Sequence, residues 1–284
     1  MNNDIYTVCD VCFHGCRLKD GQIGLCRARS AMNGKTFSIS AGYFTSAALD
    51  PIEKKPFQRF HPGSMILSVG SFGCNMRCPF CQNHEISMAD KASVRRAGYI
   101  SPERLCELAL SYREKNNIGI AFTYNEPLLY PEYIIRTAEL LHRNGLFCVL
   151  VTNGCASGKI FDEILPHTDA MNIDLKTYNA EKYRKLLGGD FDTVKRNISA
   201  AAGKCHIELT TLIVPGISDD MGELEREVEW IASLCESKNT DIPLHLSRYF
   251  PRYKYTAPPT PVETVHAAAD IASKYLKYVY VGNC

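Results

Sequence analysis

Three closely spaced cysteines mark the part of the sequence with the most evident chemistry. Cys74, Cys78 and Cys81 have the spacing C-x3-C-x2-C within the stretch SFGCNMRCPFCQNHEIS, residues 71–87. Soft thiolates at this spacing can hold one face of a four-iron cluster, and three ligands for four corners leave one iron open. An open iron can bind a substrate or cofactor and pass an electron to it. The alternatives are a zinc site completed by His84 and buried thiols without any metal.

A second group of cysteines lies near the N-terminus. Cys9, Cys12, Cys16 and Cys26 have the spacing C-x2-C-x3-C-x9-C in a glycine-rich segment with little apolar material for a core. A segment of this kind usually folds around a metal, because metal binding supplies the missing folding free energy. We therefore predict a metal-binding module over residues 1–35. The spacing leaves open whether it holds zinc, an auxiliary iron–sulfur cluster or no metal.

Length, charge and the N-terminal residues restrict the possible classes of protein. The chain has 284 residues and a formal net charge of +1, which provides no bulk attraction for nucleic acid. No apolar run is long enough to span a membrane, and the start MNNDIYTVCDVC lacks the basic and apolar regions of a secretory signal. We therefore expect a cytoplasmic protein. In that reducing compartment, the 13 cysteines favour metal sites over disulfides.

The elements that must position the cysteine loop begin near residue 65. From there to residue 284, apolar strand-like runs alternate with amphipathic helical segments, as in parallel sheets with crossover helices. The predicted strands are 65–71, 118–124, 146–153, 170–176, 205–214, 242–249 and 277–283. The pattern fits an open doubly wound sheet or a full or partial (β/α) barrel, and the first strand lacks a dinucleotide-binding glycine motif. Residues 36–64 are predicted to form a connector with short strands, which could also line a substrate entrance.

Polar motifs follow four consecutive predicted strands. The cysteine loop follows the first strand, YNEP (124–127) the second and TNG (152–154) the third, while Asp174 and Lys176 end the fourth. Each motif alone is also typical of an ordinary turn or strand end. Because active sites of parallel α/β folds form at the carboxyl ends of the strands, we expect these motifs to converge on one crevice.

The convergent side chains indicate one ligand. Glu126 suits an ammonium group, Lys176 suits a carboxylate, and Thr152 and Asn153 can hydrogen-bond ribose hydroxyls. S-adenosylmethionine (SAM) combines an amino acid end with a nucleoside end, and its amino nitrogen and carboxylate could chelate an open iron. Electron transfer to its sulfonium would break a carbon–sulfur bond and release a 5′-deoxyadenosyl radical.

At this point the sequence resembles the radical SAM superfamily, whose hallmark is the cysteine spacing seen in CNMRCPFC. TNG (152–154), DLK (174–176) and VPG (214–216) are similar to motifs of the pyruvate formate-lyase activating enzymes. The four-cysteine module, DPIEKKP (50–56), GCNMRCPFCQNHEIS (73–87) and SRYFPRYK (247–254) resemble the radical SAM enzymes of the AmmeMemoRadiSam system. The resemblance implies a partial (β/α)6 barrel over 65–284 that uses a [4Fe–4S] cluster and SAM.

The resemblance also implies a role for individual residues. It makes Cys74, Cys78 and Cys81 the cluster ligands, and Asn125 with Glu126 the binding site of the SAM amino group. Further SAM contacts or cation-site positions are implied at Thr152, Asn153, Asp174, Lys176 and His245. Val151 and Thr210 depart from the activating enzymes, which have Asp and Arg there. These departures bear on the cation site and on part of the carboxylate binding.

Family resemblance predicts a radical SAM oxidoreductase that abstracts hydrogen from a protein or a small molecule. An activase for a glycyl radical enzyme, of the pyruvate formate-lyase activating type, is the first alternative. A non-catalytic zinc or iron–sulfur interaction protein is the second. The expected partners are the substrate and an electron donor such as flavodoxin or ferredoxin. We expect a monomer that binds neither nucleic acid nor membranes.

Overall fold

A central eight-stranded sheet organises the fold. The computed structural model describes residues 6–89 and 98–284. The sheet has the order β12-β11-β10-β9-β8-β7-β6-β5. Its strands are β5 (Ser46–Pro51), β6 (Met65–Gly70), β7 (Asn117–Phe122), β8 (Phe147–Thr152), β9 (Ala170–Asp174), β10 (His206–Ile213), β11 (Leu244–Arg248) and β12 (Val279–Gly282). Strands β6 to β12 run parallel in chain order, so their carboxyl ends lie at one edge.

Helices connect successive parallel strands and cover the outer face of the sheet. They are α1 (His84–Ser87), α2 (Pro102–Ser111), α3 (Pro131–Arg143), α4 (Gly158–Ile164), α5 (Ala180–Lys182), α6 (Phe191–Ala201), α7 (Met221–Lys238) and α8 (Val262–Ala272). A π-helical turn, Tyr183–Leu187, continues α5, and 3₁₀ turns occupy Ile52–Lys54, Arg113–Lys115, Pro127–Leu129 and Leu165–His167. Helix α2 starts as its sequence predicts, because Ser101 accepts a hydrogen bond from the Arg104 amide and Pro102 occupies the first turn.

This topology confirms the predicted α/β class. Helices follow β6 through β11, which makes six β/α units, and the two edge strands β5 and β12 do not pair with each other. The barrel is therefore partial. All seven predicted parallel strands are present with shifted ends. Strand β5 was predicted only as part of the connector, and it joins the sheet antiparallel to β6 with Ser46 opposite Gly70.

The connector after β5 fills the interior of the barrel. We call residues 52–60 the plug. Its side chains Ile52, Phe57 and Phe60 are buried against inward-facing residues of the sheet, including Val149 and Ala170. Burying these apolar side chains stabilises the fold by roughly 1.5–3 kcal/mol each. The plug begins with the 3₁₀ turn Ile52–Lys54.

The N-terminal cysteine-rich segment packs against the barrel beside the cysteine loop. It contains two short antiparallel hairpins, formed by β1 (Thr7–Val8) with β2 (Arg17–Leu18) and by β3 (Arg29–Met32) with β4 (Lys35–Ser38). The Cys74 amide donates to the Cys26 carbonyl at 3.1 Å, and the Ser157 amide donates to the Val11 carbonyl at 2.9 Å. The first five residues of the predicted 1–35 module lie outside the described residues.

No helix among the described residues is both long and apolar enough to cross a membrane.

Candidate active site at the carboxyl ends of the strands

A cavity of about 450 Å³ opens where the parallel strands end. Each strand from β7 to β11 contributes lining residues at or just after its carboxyl end, and the cysteine loop after β6 forms one wall. The predicted site residues in the lining are Cys74, Cys78, Cys81, Asn125, Glu126, Thr152, Asn153, Asp174 and Lys176. The four motifs that the sequence placed at strand ends therefore share one cavity.

The cysteine loop is held close to its neighbours by glycine. Gly73 has φ +86°, and a Cβ there would lie 2.6 Å from the Cys26 carbonyl oxygen, so a larger residue would push the loop away. Burial raises the pKa of the Cys78 thiol to about 11. A thiol must lose its proton to bind a metal, so a bound cation would have to reverse this shift.

The donor set of this wall suits an iron–sulfur cluster better than a single ion. Within 6–89 and 98–284, no three His, Cys, Asp or Glu side chains converge closely enough to hold one metal ion. In a cluster, each cysteine binds a different iron. The three sulfurs therefore need to line one cavity, but they do not need to converge on a single ion. Cys74, Cys78 and Cys81 all line the same cavity.

Glu126 is a buried carboxylate held by three donors. Its Oε1 accepts hydrogen bonds from the Leu128 amide at 3.0 Å and the Thr152 hydroxyl at 2.6 Å. Its Oε2 accepts one from the Asn153 amide at 2.8 Å. Burial outweighs these bonds and raises the pKa of Glu126 to about 7. An ionised carboxylate offers about four lone-pair positions, so one on Oε2 remains for a ligand.

Asp174 and Lys176 form an ion pair in the same lining, at the end of β9. The Lys176 ammonium lies 2.9 Å from Asp174 Oδ2, as expected for residues two positions apart at the end of a strand. Burial opposes the ammonium charge, but Asp174 and the nearby Cys78 raise the pKa of Lys176 above its usual value. Lys176 therefore stays cationic and keeps N–H donors for a ligand.

Two asparagines connect the cysteine loop to the neighbouring strands. Asn125 donates through Nδ2 to the carbonyls of Phe72 and Gly73, both at 3.2 Å, and accepts from the Ser71 amide. Asn153 donates to Asn75 Oδ1 at 2.9 Å and lies 3.5 Å from Cys74 Sγ. Both side chains thus position the loop in addition to lining the cavity.

His245 is the one predicted cavity residue that the structure does not bring into the lining. Its Nε2 lies 2.6 Å from Glu208 Oε2, and its ring stacks on Tyr280. Glu208 is fully buried and also accepts from the amides of Gln58 and Arg59 in the plug. The predicted contact between His245 and SAM stays a prediction.

The four N-terminal cysteines cluster behind the cysteine loop, outside the cavity lining. The Cys16 and Cys26 sulfurs both lie 3.8 Å from the position of a Cβ on Gly24, so they face the same space. Burial first, and then the proximity of the other three thiols, raises the pKa of Cys12 to about 12. These thiols are soft ligands, but in the described residues no three of them converge on one ion. Whether the module holds zinc, an auxiliary cluster or no metal therefore stays a prediction.

Several lining residues were not predicted. Thr210 and Ser247 lie at positions that the family resemblance covers, but no contact with the ligand was predicted for them. Leu212 and Asn283 come from β10 and the segment after β12, where no recognisable motif occurs. Their position at strand ends was the only available signal. Lys54 and Pro56 also line the cavity, so the plug forms part of its wall as the entrance interpretation of the connector suggested.

Tyr124 is a further unpredicted feature of the lining. It adopts φ +68°, an unusual conformation for a bulky residue, and its hydroxyl donates to Asp50 at 3.1 Å. The Lys55 ammonium lies 4.5 Å from its ring centroid and 3.0 Å from Asp50. These contacts join the start of the YNEP motif to the plug.

Comparison with known proteins decides the family. The model of the radical SAM superfamily matches residues 68–231, more than half of the chain. The chain belongs to the radical SAM superfamily. This confirms the predicted resemblance, and radical SAM membership implies an enzyme that uses a [4Fe–4S] cluster and SAM.

Two relatives are similar in sequence to most of this chain. The uncharacterized protein MJ0808 of Methanocaldococcus jannaschii is 37% identical over 97% of this chain and 80% of its own. The pyruvate formate-lyase-activating enzyme of Staphylococcus epidermidis is 26% identical over 71% of this chain and 83% of its own.

Solved structures show the same fold at lower identity. Streptococcus suis SuiB bound to S-adenosylmethionine has a TM-score of 0.57 at 13% identity, over 74% of this chain and 48% of its own. QueE from Escherichia coli has a TM-score of 0.52 at 16% identity, over 85% of this chain and 92% of its own. The barrel fold is therefore shared with these two solved structures.

Proposed function

We propose that this chain cleaves SAM reductively to methionine and a 5′-deoxyadenosyl radical, which abstracts hydrogen from a protein or small-molecule substrate. The observation that carries the proposal is the shared cavity, which is lined by three cysteines, the buried carboxylate of Glu126 and the partly buried ammonium of Lys176. When bound, the cluster supplies the single electron that breaks the carbon–sulfur bond of SAM. This chemistry makes the enzyme an oxidoreductase.

The residues of the cavity have distinct tasks in this proposal. Cys74, Cys78 and Cys81 hold the cluster. The remaining lone pair of Glu126 accepts a hydrogen bond from the SAM ammonium group. The free N–H donors of Lys176 donate hydrogen bonds to the SAM carboxylate. Because both groups are fixed by hydrogen bonds before the ligand arrives, little reorganisation accompanies binding.

The remaining predicted residues position the ligand and the loop. Thr152 and Asn153 orient the Glu126 carboxylate, and Asn125 braces the loop that carries Cys74. Asp174 keeps Lys176 charged and directed. Apolar lining residues, among them Met76, Phe80 and Leu212, exclude water from the reaction.

The proposal covers more than one class of substrate. Similarity to pyruvate formate-lyase-activating enzymes favours a protein substrate, and activation of a glycyl radical enzyme is one case. The resemblance to the radical SAM enzymes of the AmmeMemoRadiSam system keeps a different protein or a small molecule within the proposal. We further propose a monomer in the cytoplasm that is reduced by a flavodoxin or ferredoxin. The module at residues 1–35 would hold zinc or a second iron–sulfur cluster.

The test is anaerobic reconstitution followed by turnover with dithionite. We expect about four irons at the Cys74 site and formation of 5′-deoxyadenosine from SAM. Cys78→Ser should lose these irons and the product. The matched control Cys235→Ser, a half-buried cysteine of α7, should keep both.

Absence of 5′-deoxyadenosine from iron-loaded wild-type protein would reject the proposal. Elemental analysis distinguishes the non-catalytic alternative, which requires zinc at both cysteine groups and no visible iron–sulfur absorbance. Deuterium transfer from a candidate substrate into 5′-deoxyadenosine would then identify the substrate.

A further inference from the structure

A second cleft lies on the other side of the cysteine loop. It measures about 360 Å³ and lies between the loop, the N-terminal module and the turn at Gly188 and Gly189. Cys74 and Met76 are the two lining residues that it shares with the SAM cavity. A group held by Cys74 can therefore be approached from this cleft while a ligand fills the cavity.

The cleft is basic. Three of its lining side chains are the guanidinium groups of Arg27, Arg77 and Arg184, and its described lining includes no Asp or Glu. Arg77 and Arg184 are exposed and form no ion pair with any residue in 6–89 or 98–284. Clustered exposed charges of one sign attract partners of opposite charge over distances of about a Debye length, roughly 10 Å at 0.1 M salt.

Glycine brings the basic turn against the cysteine loop. Gly188 has φ +65°, and a Cβ there would lie 2.8 Å from Arg77 Cγ. A Cβ on Gly189 would lie 2.7 Å from Met76 Cε. The Arg77 amide also donates to the Leu187 carbonyl at 2.8 Å. The backbone that carries Arg77 is thus held against the turn that follows Arg184, and both arginines line the same cleft as Cys74.

Exposed apolar side chains accompany the charges. Leu25, which lines the cleft, is 66% exposed, and Leu186, two residues after Arg184, is 43% exposed. Exposed leucines among arginines are typical of protein interaction surfaces, in which Arg is enriched.

We propose that this cleft is the docking surface for a small acidic electron-carrier protein. The proposal rests on the proposed function, because it assumes an iron–sulfur group on Cys74, Cys78 and Cys81. The carrier would lose one electron and the iron–sulfur group would gain it, with no bond made or broken. Charge complementarity selects an acidic partner, and the position behind Cys74 gives that partner access while SAM occupies the cavity.

The test measures binding and reduction separately, with flavodoxin as the acidic probe. Binding of oxidised flavodoxin to the full chain is measured at about 50 mM and about 500 mM salt, where screening differs strongly. The variants are Arg184→Glu and the matched control Arg143→Glu. Arg143 is exposed on the last turn of α3, at the opposite end of the barrel from the site.

We expect Arg184→Glu to weaken binding at least tenfold at low salt and less than twofold at high salt, because rim charges act through screened electrostatics. The flavodoxin affinity of Arg143→Glu should stay within twofold of the wild-type affinity at both salt concentrations. A second variant, Leu25→Ser, should weaken binding at both salt concentrations because its contact is apolar. Equal binding by Arg184→Glu and Arg143→Glu, or salt-independent weakening, would overturn the proposal.

Turnover separates this inference from the proposed function. With dithionite, Arg184→Glu should form 5′-deoxyadenosine at the wild-type rate. With reduced flavodoxin at low salt, it should be at least tenfold slower. If wild-type protein forms no product with dithionite, the proposed function fails, whereas a normal dithionite rate with equal flavodoxin rates in all variants rejects only the docking surface.

Discussion

Replacing Glu208 with Gln should destabilise the barrel, because Glu208 connects the plug to β10. Its Oε1 accepts from the Arg59 amide at 2.8 Å and contacts His206 Nε2 at 2.9 Å. Its Oε2 accepts from the Gln58 amide at 3.0 Å and contacts His245 Nε2 at 2.6 Å. A glutamine has one carbonyl oxygen, so its NH₂ group would face one of the two backbone N–H groups.

Two arguments give the magnitude. Although burial acts against the charge, these contacts lower the pKa of Glu208 to about 2 from the ordinary 4.5. At about 1.4 kcal/mol per pKa unit, the charged form contributes about 3 kcal/mol. Leaving a buried backbone N–H without an acceptor costs about 1–3 kcal/mol. We therefore expect Glu208→Gln to lower the free energy of unfolding by about 3 kcal/mol and the melting temperature by about 5–10 °C.

The assay is urea and thermal unfolding of wild type, Glu208→Gln and the control Glu107→Gln. Glu107 is exposed and forms a surface ion pair with Arg104, so its replacement should change stability by less than about 0.5 kcal/mol. Because the folded pKa of Glu208 is lowered, its contribution is complete above the unfolded pKa and disappears as pH falls toward the folded one. The difference between wild type and Glu208→Gln should therefore be constant above about pH 5.5 and shrink between about pH 4.5 and 2.

Two results would refute this reasoning. One is a Glu208→Gln variant as stable as Glu107→Gln at neutral pH, which would mean that the four contacts contribute little. The other is a stability difference that does not decrease on acidification. In that case the loss would come from packing of the plug rather than from the carboxylate charge.

Three further predictions concern the site and the sheet. Glu126→Gln should weaken SAM binding at least tenfold, because a charge-assisted hydrogen bond contributes about 1.5–3 kcal/mol. The measurement is equilibrium binding of SAM, and a smaller loss of affinity would exclude the ammonium contact. Since burial raises the pKa of Glu126 to about 7, wild-type SAM affinity should fall about tenfold per pH unit below that value, and a flat profile would contradict the assignment. Gly119→Ala should lower the melting temperature by at least about 5 °C, because its Cβ would lie 2.0 Å from the Phe147 carbonyl oxygen. Gly98→Ala is the control, because no described residue comes within 4 Å of an added Cβ there. Equal melting temperatures of the two variants would contradict the steric argument.

Much of the site follows from strand direction alone. Parallel strands bring their carboxyl ends to one edge, so Glu126, Thr152 and Asn153 could be predicted as neighbours from their positions after consecutive strands. The structure joins them by direct hydrogen bonds. The cysteine spacing likewise carries local information that needs no tertiary context.

The rest depends on long-range partners that no local pattern encodes. The sequence of β5 gives no indication that it pairs antiparallel with β6. His245 lies on a strand close to the site, yet its ring contacts the buried carboxylate of Glu208, 37 residues earlier in the sequence. The second cleft is formed by three segments far apart in the chain, and charge composition averaged over the whole sequence does not reveal it.

The plug also has a consequence for biosynthesis. The Gln58 amide finds its acceptor in Glu208, 150 residues later in the chain. At roughly 5–20 residues per second, the ribosome needs on the order of 8–30 s to make the intervening segment. During that interval Phe57 and Phe60 are already part of the nascent chain, whereas β10, which carries Glu208, has not yet been made. Nascent chains stalled before residue 208 should therefore expose these aromatic side chains and bind chaperones, whereas chains extended past β10 should release them.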